Sequence, residues 1–234
     1  PAKPIHLIVP YAPGGAGDVI ARVVSQRLGN DLATSVVVDT PQGEKTIEGT
    51  HFLATMPLRS LVRAIDPPVP QPVRDSAEGL GYRDFILVAL VLDKDKLFPD
   101  NWIYVHTPGV LVGRVQNFGN WSEDMVPAAG RTCLGMEYFC FSGDDLWNRS
   151  DSELIALATD ELRRIGLAAG ANVVDGTVVR MPKAYPIYDS SYAENVGTIR
   201  GHLAGIRNVA TLGRNGMHKY NNQDHSMYTA MLAV

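Results

Sequence analysis

The sequence predicts an α/β fold of mixed α+β character: an N-terminal βαβ Rossmann-like unit, an antiparallel sheet region and a C-terminal helix. Three observations predict it. Near the start, IHLIV and TSVVVD enclose a helical stretch that opens on a glycine-rich turn. Four strand-like segments crowd into 82–141. Helical patterning then returns at SDSELIALATDELRRIG and again at NNQDHSMYTAMLAV. At 234 residues, the chain can bury a sizeable core as one large domain or two small ones.

Taken in order, IHLIV leads into PYAPGGAGDVIAR and a helix over about 18–28, stopped by Gly29 and Asn30. Strand, glycine loop and helix make a cradle for an anion, because helix N-terminal N–H groups point at it and glycine lets the backbone approach. Gly14, Gly15, Gly17 and Asp18 form that loop. The spacing supplies two glycines of G-x-G-x-x-G, but Ile20 takes the third place and Asp18 would set a carboxylate against the phosphates. Asp39, ending TSVVVD, stands where a Rossmann unit places its ribose-binding acid. The stretch therefore reads as a dinucleotide turn by topology and as a plain βα turn or small-anion loop by spacing.

A turn at 41–43 predicts a hairpin joining VVVD to TIEGTHFLA, and LRSLVRAI (58–65) predicts a short helix. DPPVPQPVRDSAEG (66–79) is proline-rich and is the expected connection, dividing the chain into 1–66 and 82–234. YRDFILVALVLD, WIYVHT, VLVGRVQNF and RTCLGMEYFCF then read as strands, with a hairpin at Pro108 and Gly109. Ser150 and Glu153 make a capping box, an apolar face follows from Leu154 to Ile165, and Gly166 marks the helix end. GTVVRMP predicts a strand, 192–203 a helix, and NVATLGRNG a strand and glycine turn before the last helix.

A net charge of −4 offers no basic footprint for nucleic acid or anionic membrane, so the expected partner is a small-molecule ligand. No run of about 18 apolar residues predicts a transmembrane helix. PAKPIHL has no charged region followed by an apolar one, so a signal peptide is expected to be absent or already removed. Cys133 and Cys140 lie seven apart on one strand and point to opposite faces, which predicts free buried thiols.

The densest polar cluster is LGRNGMHKYNNQDHSM (212–227), where Arg214, Lys219, His218, Tyr220 and Asn222 gather between a glycine turn and a helix start that attracts anions. A solvated, capped turn is the plain alternative. His218, Asp224 and His225 match no standard zinc spacing, so no metal is expected. Ser226 beside His225 does not make a hydrolase, since neighbours on a helix point to different faces. In PKAYPIYD (182–189), two tyrosines flank Pro186 at a strand exit, as pocket lining or as core packing.

These residues carry a resemblance. GTHFLATMPLRSLVRAI, YRDFILVALVLDK, LFPDNWIYVHTPGVLVGRVQNF, CLGMEYFCF, PKAYPIYD and GRNGMHKYNNQDHSM resemble the C-terminal half of FAD-dependent oxidoreductases related to amine oxidases, protoporphyrinogen oxidase and UDP-galactopyranose mutase. The resemblance implies FAD as cofactor, with the flavin rather than a side chain as the reacting group. It further implies that Gly213, Arg214, Asn222, Gln223, Asp224 and Met227 contact flavin, and that Tyr185 and Tyr220 face substrate, in a cytoplasmic protein. His218, Asn221 and Asn222 replace the Tyr, Tyr and Asp of the mutase pattern, so mutase activity is not implied.

PIHLIVPYAPGGAGDVIARVVSQRLG instead resembles the mature N-terminus of periplasmic solute-binding proteins of the tripartite tricarboxylate transporter family. That resemblance implies an anion-binding loop at Gly14, Gly15, Gly17 and Asp18 holding the carboxylate of a small organic acid, in the periplasm. The chain thus reads as a chimera, which leaves three expectations. It is a FAD-dependent oxidoreductase-like protein, a small-carboxylate or phosphate binder, or a composite whose activity is absent or newly acquired.

Overall fold

The computed structural model describes residues 5–6, 34–40, 43–168 and 170–233. It is a mixed α/β fold with parallel and antiparallel pairing, in two compact units: Pro1–Tyr82 with Tyr185–Val234, and Arg83–Ala184.

In the first unit, β1 (Ile5–His6) pairs in parallel with β2 (Thr34–Thr40), and β2 pairs antiparallel with β3 (Gly43–Gly49), Val36 opposite Ile47. Parallel neighbours require a crossover connection, which is what the βαβ expectation demands. The helix expected over 18–28 and the loop residues Gly14, Gly15, Gly17 and Asp18 lie outside the described residues.

The expected hairpin stops at Gly49. FLA becomes a separate strand, β4 (Phe52–Ala54), paired in parallel with β10 (Val209–Thr211). Exposure explains the break: β3 faces solvent along nearly its whole length, whereas Ala54 is buried in the core.

Helix α1 (Leu58–Ala64) buries Leu58, Leu61 and Val62, the i, i+3, i+4 stripe of an amphipathic helix. The proline-rich segment is more than a connection: its second half folds as α2 (Gln71–Glu78). Pro72 falls in the first helical turn, where the missing N–H has no partner to lose. Val73 and Ala77, one turn apart, enter the core. Arg59 completes the helix by donating to the carbonyls of Ala77 and Glu78, at 3.0 and 2.9 Å, and to that of Leu80. Helix α6 (Tyr192–Leu203) closes this core with Val196, Ile199 and Leu203.

The second unit is built on a five-stranded sheet of order β6-β7-β8-β5-β9. Its strands are β5 (Tyr82–Leu92), β6 (Trp102–Tyr104), β7 (Arg114–Asn117), β8 (Thr132–Cys140) and β9 (Val173–Pro186). The pairs β6·β7, β7·β8 and β8·β5 are antiparallel, as the hairpin expected at Pro108 and Gly109 predicts. One face, with Ile86, Val88, Leu90, Leu134, Met136 and Tyr138, is the core. Leu154, Ala158 and Leu162 cover it from the helix Asp151–Arg164.

Ser150 and Glu153 form the expected reciprocal capping box at that helix. Both cysteines are free and buried. Short helices at Phe118–Trp121 (α3) and Asp145–Asn148 (α4) precede it, making it α5. Among the described residues, no helix is long and apolar enough to cross a membrane.

Candidate functional site

The 212–227 cluster lies in the first unit, between β10 and the last helix. α7 (Gly213–Gly216) is a single turn, and α8 (Gln223–Ala233) follows after a loop. Two glycines make the turn possible. Gly213 sits at φ +74°, a left-handed conformation that glycine alone adopts freely, and its N–H donates to Thr229 Oγ1 at 3.1 Å. Gly216 lies so close to β4 that a Cβ there would run into the Ala54 carbonyl oxygen.

Between these glycines stands Arg214. Its guanidinium carbon lies 4.9 Å from the Tyr185 ring centre and 4.7 Å from that of Tyr220, within cation–π range. The two rings are themselves 5.7 Å apart and nearly parallel. Arg214 Nε donates to the Asn221 carbonyl oxygen at 2.9 Å, and the Tyr220 N–H donates to the Tyr188 hydroxyl oxygen at 2.6 Å. The cation is therefore held in place by aromatic faces and by the loop's own backbone.

A cavity of about 440 Å³ opens beside it, lined by Arg214, Asn221, Asn222, Gln223, Ser226 and Met227. Its volume falls within the roughly 300–1,000 Å³ of small-molecule sites. The fold thus gathers four of the six expected cofactor contacts, Arg214, Asn222, Gln223 and Met227, around one cavity, with Gly213 at the turn behind them. Asp224 is not among the lining residues; its carboxylate lies exposed, 3.1 Å from His225 Nδ1. Tyr185 and Tyr220 stack on Arg214.

Asn221 and Ser226 are additional lining residues. The signal for Ser226 was its spacing, since one helical turn brings its N–H to the Asn222 carbonyl at 3.0 Å. Tyr188, the second tyrosine of PKAYPIYD, acts by holding Tyr220.

His218 lies inside rather than at the cavity wall: it is fully buried. Tyr82 meets its ring edge-on at 4.7 Å, and Tyr192 lies along its face at 5.9 Å. Burial is the main cause that pushes its pKa down to about 4. Asn215 Oδ1 is also buried without a hydrogen bond among the described residues. The described residues contain no group of three or more His, Cys, Asp or Glu able to hold a metal ion.

No family model matches the chain. Its fold is similar to that of reduced UDP-galactopyranose mutase (TM-score 0.65, 19% identity), the alignment covering 81% of this chain and 41% of the mutase. It is also similar to the candidate protoporphyrinogen oxidase of Exiguobacterium sp. (TM-score 0.58, 15% identity), covering 84% and 43% of the two chains. Two curated sequences match a shorter stretch of the chain. The chain is 40% identical over 57 residues to the UPF0065 protein of the tcbD-tcbE intergenic region of a Pseudomonas species. It is 46% identical over 54 residues to Protein BugT of Bordetella pertussis. These matches take in about a quarter of the chain and 17% of each relative, so the chain spans less than half of any of these four proteins. What the comparisons establish is a fold similar to that of these two solved structures over about four-fifths of the chain, and a sequence match to these two curated proteins over about a quarter.

Proposed function

We propose that the chain is an FAD-dependent oxidoreductase-like protein whose flavin-contacting residues are Gly213, Arg214, Asn222, Gln223, Asp224 and Met227, with Tyr185 and Tyr220 towards the substrate. The observation that carries this reading is the cavity that brings the Arg214 cation together with Asn222, Gln223 and Met227.

The residues present suit such a group. A flavin ring is planar and rich in carbonyl oxygens and ring nitrogens. Arg214 and the side-chain amides of Asn222 and Gln223 line the cavity and supply donors for it. When bound, FAD would supply the redox chemistry. The chain's own part is to fix the Arg214 charge between two aromatic faces and to hold the start of α8 against the ligand. The cytoplasm is the compartment this reading favours.

The visible spectrum of the purified protein, taken before and after incubation with FAD and desalting, is the test. A retained flavin band that Arg214→Ala abolishes is expected; a colourless protein that takes up no FAD overturns the reading.

The binding-protein-like matches favour a second function, capture of a small carboxylate or phosphate by Gly14, Gly15, Gly17 and Asp18 in a periplasmic protein. Dicarboxylates or phosphate would then raise Tm, and Gly15→Val would erase the shift. A composite without activity gives neither response.

A further inference from the structure

We propose that His218 is a positioning residue whose uncharged imidazole keys the 217–222 loop into the protein interior, so that acidification opens the Arg214 cavity. The inference rests on the proposed ligand site for its consequence, but the opening itself is a property of the chain alone.

The geometry of the key is unusual. His218 has φ +48°, a left-handed backbone conformation that few residues other than glycine occupy, yet its side chain is fully buried. Neither ring nitrogen makes a hydrogen bond of normal geometry among the described residues. The ring is held by Tyr82 across its edge and Tyr192 along its face. Packing therefore retains it, and packing does not compensate a charge.

The ionisable groups around it come from several elements: Tyr82 at the start of β5, Arg59 on α1, Tyr192 on α6, and Asp189 in the segment before α6. Burial and Arg59 favour the neutral ring, the Ile187 backbone and Asp189 favour the cation, and burial prevails. The Ser191 hydroxyl and amide hold the Asp189 carboxyl below the ordinary range, so it stays ionised and its pull toward the cation is constant, already part of the balance that burial wins.

The same short loop carries the cavity's supports. The Met217 N–H reaches the Gly213 carbonyl and the Lys219 N–H the Arg214 carbonyl, both at 3.0 Å. The Tyr220 N–H reaches Tyr188, and the Asn221 carbonyl receives Arg214. Withdrawing His218 withdraws all four.

The sign follows from the two states. Once open, the ring is in water with its ordinary pKa of 6.5, against about 4 when closed. Above pH 6.5 both states are neutral and opening is pH-independent. Between pH 6.5 and about 4 only the open state takes up the proton, so its population rises about tenfold per unit, roughly 300-fold in all. Below that the gain is complete.

Hydrogen exchange at the Tyr220 amide, measured without ligand from pH 7.5 to 4 and expressed as protection factors, reads the opening directly. In the wild type, protection should fall about tenfold per pH unit below about 6.5, and in His218→Phe, which keeps the ring but cannot charge, it should stay flat. Flat wild-type protection, or an equal fall in the phenylalanine variant, overturns the proposal. If His218→Phe fails to fold, the wild type alone decides: Tyr220 protection that falls in step with titration of the His218 ring protons supports the proposal, and ring titration without loss of protection overturns it. FAD retention measured over the same range separates the two readings. Loss of retained FAD in step with loss of protection supports both, whereas no FAD uptake at pH 7.5 together with pH-dependent protection sinks the flavin reading and leaves the His218 key standing.

Discussion

The two compact units treat their buried polar groups differently. In Arg83–Ala184 these groups are supplied with partners. Glu161 accepts the N–H groups of Leu111 and Val112 at 2.6 and 3.0 Å and the Tyr138 hydroxyl at 3.1 Å. Asp84 accepts from the Ser142 amide, the Ser142 hydroxyl and the Lys183 amide at 2.5 to 2.7 Å. Arg114 and Glu137 form an ion pair under the Trp102 and Phe139 rings, with Gln116 as a further donor to Glu137. Among the described residues of this unit, Asn117 Oδ1 is the exception. In the other unit, among the described residues, the His218 ring nitrogens and Asn215 Oδ1 are buried without a hydrogen bond of normal geometry, and α8 leaves Met227, Tyr228, Met231 and Leu232 more than half exposed, as Tyr104, Leu111 and Trp121 are in Arg83–Ala184. A satisfied network rigidifies and specifies a fold, while a buried group without a partner marks a place where a water, ion or ligand is expected.

Breaking the first pattern should cost most. Glu137→Leu strands the Arg114 charge under its aromatic cover and should lower unfolding free energy by about 3–5 kcal/mol, most of it recovered in the Arg114→Met/Glu137→Leu double variant. Denaturant melts of the three proteins check this; an additive double variant would show that the pair is not a unit. Glu161→Leu leaves two amides and a hydroxyl without their acceptor, for a loss of about 2–3 kcal/mol, with the 111–112 amides exchanging faster.

In the other unit, Gly216→Ala forces β4 and α7 apart and should cost about 2 kcal/mol, within the range of overpacking. A neutral outcome would mean the turn moves freely, contrary to its contact with Ala54. Ser150→Ala removes one half of the capping box for about 1 kcal/mol. At the proposed site, Arg214→Ala removes two cation–π contacts and one hydrogen bond and should cost about 1 kcal/mol while reducing FAD retention at least about tenfold. A large destabilisation without a binding change would make Arg214 structural and remove the contrast between the units.

Local signals and long-range ones were not equally readable. The strands of the second unit were legible because they are rich in β-branched and aromatic residues and turn residues bound them, and α5 because its capping box and apolar spacing agree. The second half of the proline-rich segment looked like a connection because prolines dominate it. Only the burial of Val73 and Ala77, with Arg59 serving the helix's last carbonyls, makes it α2. FLA looked like more of a hairpin because nothing nearby announces β10 as its partner.

The sequence by itself determined the mixed α/β class, most elements of the second unit, and the density of polar groups at 212–227. The resemblance to FAD-dependent oxidoreductases, rather than residue type or spacing, singled out Arg214, Asn222, Gln223 and Met227 as candidates. Tertiary structure alone decided that these four line one cavity, that Tyr185 and Tyr188 come back to Tyr220, and that His218 turns inward. The reason is physical. Helical and strand periodicity are encoded over a few neighbouring residues, whereas burial depends on which distant chain arrives to cover them. For His218 that covering comes from Tyr82 and Tyr192, and it removes the water that would otherwise make its charge cheap.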